Sequence, residues 1–115
     1  MSWSPLEVEE QIQAVYEAIS AETDGLDALA QSAAHRRHNY EMRNALKWME
    51  LSAVKAPEVV KKAMIMSEIG PMKLDAEIAE AMVDAKRASL RSLYVQADLL
   101  RSLMATARRM QDAEL

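Results

Sequence analysis

The sequence predicts an all-α fold, a long antiparallel helical hairpin forming one domain over residues 1–115, and three observations carry that expectation. Residues 72–111 contain neither glycine nor proline, while apolar side chains recur through them at helical spacing. The apolar half of the composition is mostly Ala, Leu, Met, Ile and Val, with two Trp, three Tyr and no Phe, which favours helix over sheet. No Asn-Gly or Asp-Gly pair separates alternating apolar runs; Asp24-Gly25 lies inside a 3.6-residue pattern, so no strand is expected.

The first helix is predicted over residues 5–51. Ser4-Pro5-Leu6-Glu7 reads as a capping box, with serine at the cap, proline where its missing N–H costs nothing and glutamate three residues on. Val8, Ile12, Val15, Ile19, Glu22, Leu26, Leu29, Ala33, Arg36 and Tyr40 then follow the three-and-four rhythm of a coiled-coil seam. That rhythm keeps its phase across Gly25, which predicts a continuous helix there, bent or straight. After Tyr40 the apolar positions shift to Met42, Leu46 and Met49. Trp3 is placed to staple onto the first turn, and Trp48, near the helical turn, to pack against a short connecting helix.

Pro57 marks the start of that short helix over residues 57–69, closed by Gly70-Pro71, with Gly70 as a left-handed cap and Pro71 opening the last helix, 72–111. Those forty residues would span roughly 60 Å, too long for one ordinary small domain to bury. Two long helices joined by a short segment bury both apolar stripes only when antiparallel. Neighbouring positions should then sum to about 120, bringing Glu10 and Glu17 towards Arg109 and Arg101, and Arg43 and Lys47 towards Glu77 and Glu80.

The last helix carries more apolar surface than one partner needs. Leu90, Leu93, Ala97, Leu100, Met104 and Ala107 form one stripe, and Val95, Leu99, Leu103 and Met110 form a second beside it. Self-association is the expected remedy, a dimer whose hairpins pair into a four-helix bundle, with Leu93, Val95, Leu99, Leu100, Leu103, Met104 and Met110 at the oligomer interface. The alternative is a short helix folded back over the second stripe.

Charge is unevenly spread beneath a net −4. Residues 1–30 carry seven acids and no Lys or Arg, whereas residues 31–62 carry seven bases against three acids. Arg36, Arg37, Arg43 and Lys47, with Tyr40 among them, are candidates for gripping a polyanion, phosphates on the cations and a base on the ring. The competing reading is a basic face paired with acids of the last helix or of a second subunit. His35 and His38 lie one turn apart, but without a third ligand at helical spacing they read as a solvated face, and no metal or other cofactor is expected. No glycine-rich phosphate loop, nucleophile elbow or cysteine is present, so an enzyme is the class least expected. Without a signal-like or membrane-spanning run of about 20 apolar residues, the expected location is cytoplasmic.

The words Leu6-x-x-x-x-x-Ile12-x-x-Val15-Tyr16-Glu17-Ala18, the Ala/Arg-rich middle through Tyr40 and Ala45, and Ala88-Ser89-Leu90-Arg91-Ser92-Leu93 with Leu99-Leu100-Arg101-Ser102-Leu103 resemble small helical proteins from the early, nonstructural regions of actinobacteriophages. The resemblance covers most of the chain. It implies a nonenzymatic accessory protein in a bacterial cytoplasm, in some cases beside DNA-recombination functions, and transfers no catalytic residue. The function expected is therefore self-association through long helices and binding of a protein partner. The alternatives are an accessory single-stranded nucleic-acid binder using the basic helix face, and a small-ligand or nucleotide trap between subunits.

Overall fold

The computed structural model describes residues 4–113, which form two helices, α1 (Pro5–Ser52) and α2 (Glu58–Ala113), with no strand among them. Trp3 lies outside the described residues. The chain packs as two compact units, one made of Met1–Leu26 with Ala85–Leu115, the other of Asp27–Asp84.

The start of α1 is the capping box that the sequence spells. The Ser4 N–H donates to Glu7 Oε2 and the Glu7 N–H donates to Ser4 Oγ, each at 3.2 Å, satisfying two donors that a helix start leaves open. The helix then passes through Gly25 without interruption, and no glycine has a positive φ. A Cβ at Gly25 would meet only the Lys86 Cε at 3.5 Å and Nζ at 3.6 Å, an ordinary contact with the end of a flexible side chain. Gly25→Ala should therefore stabilise the chain by about 1 kcal/mol, the helix-propensity difference, read as a rise in denaturant midpoint at constant slope. A fall would mean that the adjacent Lys86–Glu22 ion pair, at 3.3 Å, cannot tolerate a methyl group beside it.

Helix α1 ends where expected. Ser52 Oγ donates to the Met49 carbonyl at 2.6 Å, the Val54 N–H closes a tight turn on the Leu51 carbonyl at 3.1 Å, and the chain leaves the helix. The Pro57 carbonyl accepts from Val60 and Lys61, so Pro57 stands at the cap of α2, where it has no N–H to leave unpaired.

The separate short helix is not formed. Helix α2 runs on through Gly70 and Pro71, and Gly70 does not take the left-handed conformation that a cap requires. Register explains this. Ile65, Ile69, Ala76 and Val83 are buried and Met72 and Ala79 half-buried, so the inward positions advance by four, three, four, three and four residues straight across the proline. Breaking the helix would throw the positions on one side out of phase with α1. Keeping it leaves the Ser67 carbonyl without its N–H from residue 71, a local cost that the continuous seam offsets.

A second departure lies in α1. The rhythm of the first eight seam positions predicts Arg36 as the next inward residue, yet Arg36 is exposed and Arg37 half-buried, followed by Tyr40, Asn44, Trp48 and Leu51. Two successive steps of four, Leu29 to Ala33 to Arg37, shift the seam by one residue, as helices do when a strict heptad drifts off the packed face. The shift buries Leu51 where the strict rhythm would have buried Glu50. It also means that Met42, Leu46 and Met49, the positions to which the apolar pattern moves in the sequence, face solvent.

Within the Asp27–Asp84 unit the helices run antiparallel around a cluster of Leu51, Ile65 and Ile69, against which Tyr40 and Trp48 pack. In the other unit the buried side chains are Val8, Val15, Leu90, Ala97, Met104 and Ala107. Its antiparallel order is fixed by Tyr16 meeting Arg101 and Glu22 meeting Lys86.

Candidate functional site

Cross-helix pairing decides what the basic middle of α1 can do. Lys47 Nζ lies 2.5 Å from Glu68 and 3.5 Å from Glu50, Arg36 Nη1 lies 2.6 Å from both carboxylate oxygens of Asp75, and Arg37 pairs with Glu80 while its guanidinium sits 5.4 Å from the Tyr40 ring centroid. The sequence-based register placed Lys47 and Arg43 beside Glu77 and Glu80; the one-residue shift of the seam and the unbroken α2 bring Glu68, Asp75 and Glu80 to Lys47, Arg36 and Arg37 instead. The hydrogen bond from Lys47 to Glu68 raises the lysine above its ordinary range, and the hydrogen bond to Glu80 does the same for Arg37. For Lys47 the sign is that of a gained partner: its contribution is full below the ordinary lysine pKa and is lost as pH rises past the raised value. These pairs are largely solvated, so they set register more than they stabilise.

Of the five polyanion candidates, then, Arg36, Arg37 and Lys47 are already neutralised by α2, and Tyr40 is half-buried beneath Arg37. Of the four basic candidates, Arg43 is the one without an ion pair among the described residues. The structure brings these residues together as a paired interhelical face. His35 and His38 are exposed, and no group of three or more His, Cys, Asp or Glu side chains among the described residues is placed to hold a metal. In the other unit Arg101 donates to Tyr16 Oη at 2.5 and 2.9 Å and to Asp98 at 3.1 Å; the expected approach of Glu17 is replaced by that of its neighbour Tyr16.

The residues anticipated at an oligomer interface fall into two sets. Met104 is buried and Leu93 and Leu100 are half-buried, which in a unit of two helices places them on the face that α2 turns to α1. Val95, Leu99, Leu103 and Met110 are exposed, Leu99 at 62% of its full accessibility. Beside the first set runs a stripe of four large apolar side chains on α2 that the chain itself does not cover. The Asp27–Asp84 unit has an uncovered apolar surface of its own. Leu46 and Met49 border one depression and Val60 and Met64 another, and Glu68 lies in both.

A groove on the opposite flank of that unit was not anticipated. Tyr40, Asn44 and Trp48, one turn apart on α1, and Lys62, Met66, Gly70 and Lys73 of α2 line an open groove of about 220 Å³ together with Ile65 and Ile69. One signal in the sequence marks it, the polar and aromatic residues Tyr40, Asn44 and Trp48 spaced four apart; Gly70, which reads locally as a cap, lies inside α2 directly before Pro71, where the absence of a Cβ spares a clash with the proline ring.

No protein-family model matches this chain, and no curated protein or solved structure matches it. No helix among the described residues is long and apolar enough to cross a membrane.

Proposed function

We propose that the protein is a nonenzymatic, phage-type accessory protein of the bacterial cytoplasm that self-associates through its long helices, as a dimer, and binds a protein partner. The observation that carries this reading is the exposed stripe Val95, Leu99, Leu103 and Met110, lying beside a seam that is already filled. Leaving such side chains in water forgoes roughly 1.5–3 kcal/mol each, comparable in sum with the whole stability of a small domain. A second copy is the fitting occupant. Val95, Leu99 and Leu103 follow one another at steps of four with no charge in the row, as the centre of an interface requires, and two identical rows related by a twofold axis bury each other.

The methionine-rich surface around Leu46, Met49 and Met64 is assigned to the protein partner, since flexible thioethers adapt to a surface they meet only transiently. The phage-type character rests on the resemblance of the alanine- and leucine-rich words at residues 6–18, 88–93 and 99–103.

The test places charge in the row. Leu99→Glu with Leu103→Glu should weaken self-association tenfold or more in light scattering while leaving helicity unchanged, because each glutamate would have to be buried unpaired. A variant that associates as the wild type does would remove the stripe from the interface.

A further inference from the structure

The groove between Tyr40, Trp48 and the Lys62–Lys73 segment has a chemistry that neither self-association nor a protein partner uses. Most basic residues of α1 in this unit are held by acids across the seam, yet no acid lines this groove, and neither Lys62 nor Lys73 makes an ion pair among the described residues. Two uncompensated ammonium groups thus flank an apolar trough walled by an indole and a phenol ring. Asn44 lies between the two aromatic residues along α1 and its side chain makes no hydrogen bond among the described residues, so its amide offers both donor and acceptor to whatever enters. Gly70 keeps the trough open: a side chain there would stand in it.

We propose that this groove takes one nucleotide of a single-stranded nucleic acid, its base stacked on one of the two rings and its two flanking phosphates on Lys62 and Lys73. The spacing is within reach of that occupant. Lys62 and Lys73 are eleven residues apart on one helix face, about 16 Å of rise, a span that two long side chains reaching toward each other close onto the phosphates either side of one nucleotide. Aromatic walls suit a base because every base has a π-face, and the unpaired Asn44 amide meets a base edge that a duplex would hide. The site differs from the row Arg36, Arg37, Arg43 and Lys47, most of which is occupied by carboxylates. It is also independent of the α2 stripe, so it stands or falls apart from the dimer.

Anisotropy of a fluorescein-labelled oligothymidine, read with the full chain, tests it. Two phosphate contacts predict a fall in affinity of about sevenfold between about 50 and about 200 mM salt. Lys62→Ala with Lys73→Ala should flatten that salt dependence and lower affinity at least tenfold at low salt. Gly70→Leu fills the groove without changing any charge: its Cβ meets the Met66 sulfur at 3.5 Å, and the steric cost of a side chain before Pro71 in a helix is told apart from loss of the site by the helicity of the variant. It should also cost at least tenfold, with a wild-type circular dichroism spectrum. The proposal is overturned by absence of binding at low salt, by Gly70→Leu binding as the wild type does, or by a Lys55→Ala, Arg108→Ala control losing as much as the Lys62, Lys73 pair. Displacement of the oligonucleotide by polyglutamate as readily as by unlabelled strand would equally overturn it, since the groove would then read charge alone.

Discussion

Replacing Pro71 by alanine should raise the unfolding free energy by about 3 kcal/mol, the interior penalty of proline in a helix. Pro71 lies fourteenth in a helix of 56 residues, and its ring nitrogen cannot supply the N–H that the Ser67 carbonyl would otherwise accept. Alanine restores that bond and removes the clash of the ring with the preceding turn. The outcome separates two architectures. If Pro71 opened a separate helix, as the Gly70-Pro71 pair taken locally implies, alanine at a first-turn position would be neutral or slightly destabilising. Urea unfolding followed at 222 nm, with the slope unchanged and the midpoint raised, is the expected result.

The largest loss is expected from Ile69→Ala. Ile69 is 4% exposed and shares a cluster with Leu51 and Ile65, sealed by Trp48 and Tyr40, so its truncation removes both transfer free energy and packing. A cost of about 2–5 kcal/mol follows, a large part of the stability of a chain this size. Trp48 lies against the same cluster, so its fluorescence should report the loosening before helicity is lost. Val59→Ala is the matched comparison: at 78% exposure it should shift stability by no more than about 0.5 kcal/mol. Equal effects at the two positions would mean that the cluster is not the core of its unit.

What the sequence discloses here is whatever is local. Ser4 and Glu7 close their box within one turn, the end of α1 is set by the residues around Ser52, and Gly25 is tolerated in a helix because both flanks keep one phase. Pro71 misleads because the local signal is a break, while the decision belongs to Ile65, Ile69, Ala76 and Val83, whose common register against α1 is a property of the pair of helices. The identity of the inward arginine is hidden for the same reason. Arg36 and Arg37 are adjacent and chemically alike, and only the need to bury Leu51 selects the second. Ion-pair partners inherit that one-residue ambiguity, so the sequence could name the acids of α2 as a class without assigning Glu68 to Lys47 or Asp75 to Arg36. The exposed row at Val95, Leu99 and Leu103 was legible as an excess of apolar surface, whereas the groove needed residues from both helices and could not be assembled from either alone.

Sedimentation equilibrium of the wild-type chain over about a hundredfold range of concentration measures most directly whether a second copy covers the apolar row of α2. The expected mass rises from that of the 12.9 kDa chain towards twice that value as concentration increases, or stands at twice throughout. A mass of 12.9 kDa at every concentration would contradict it.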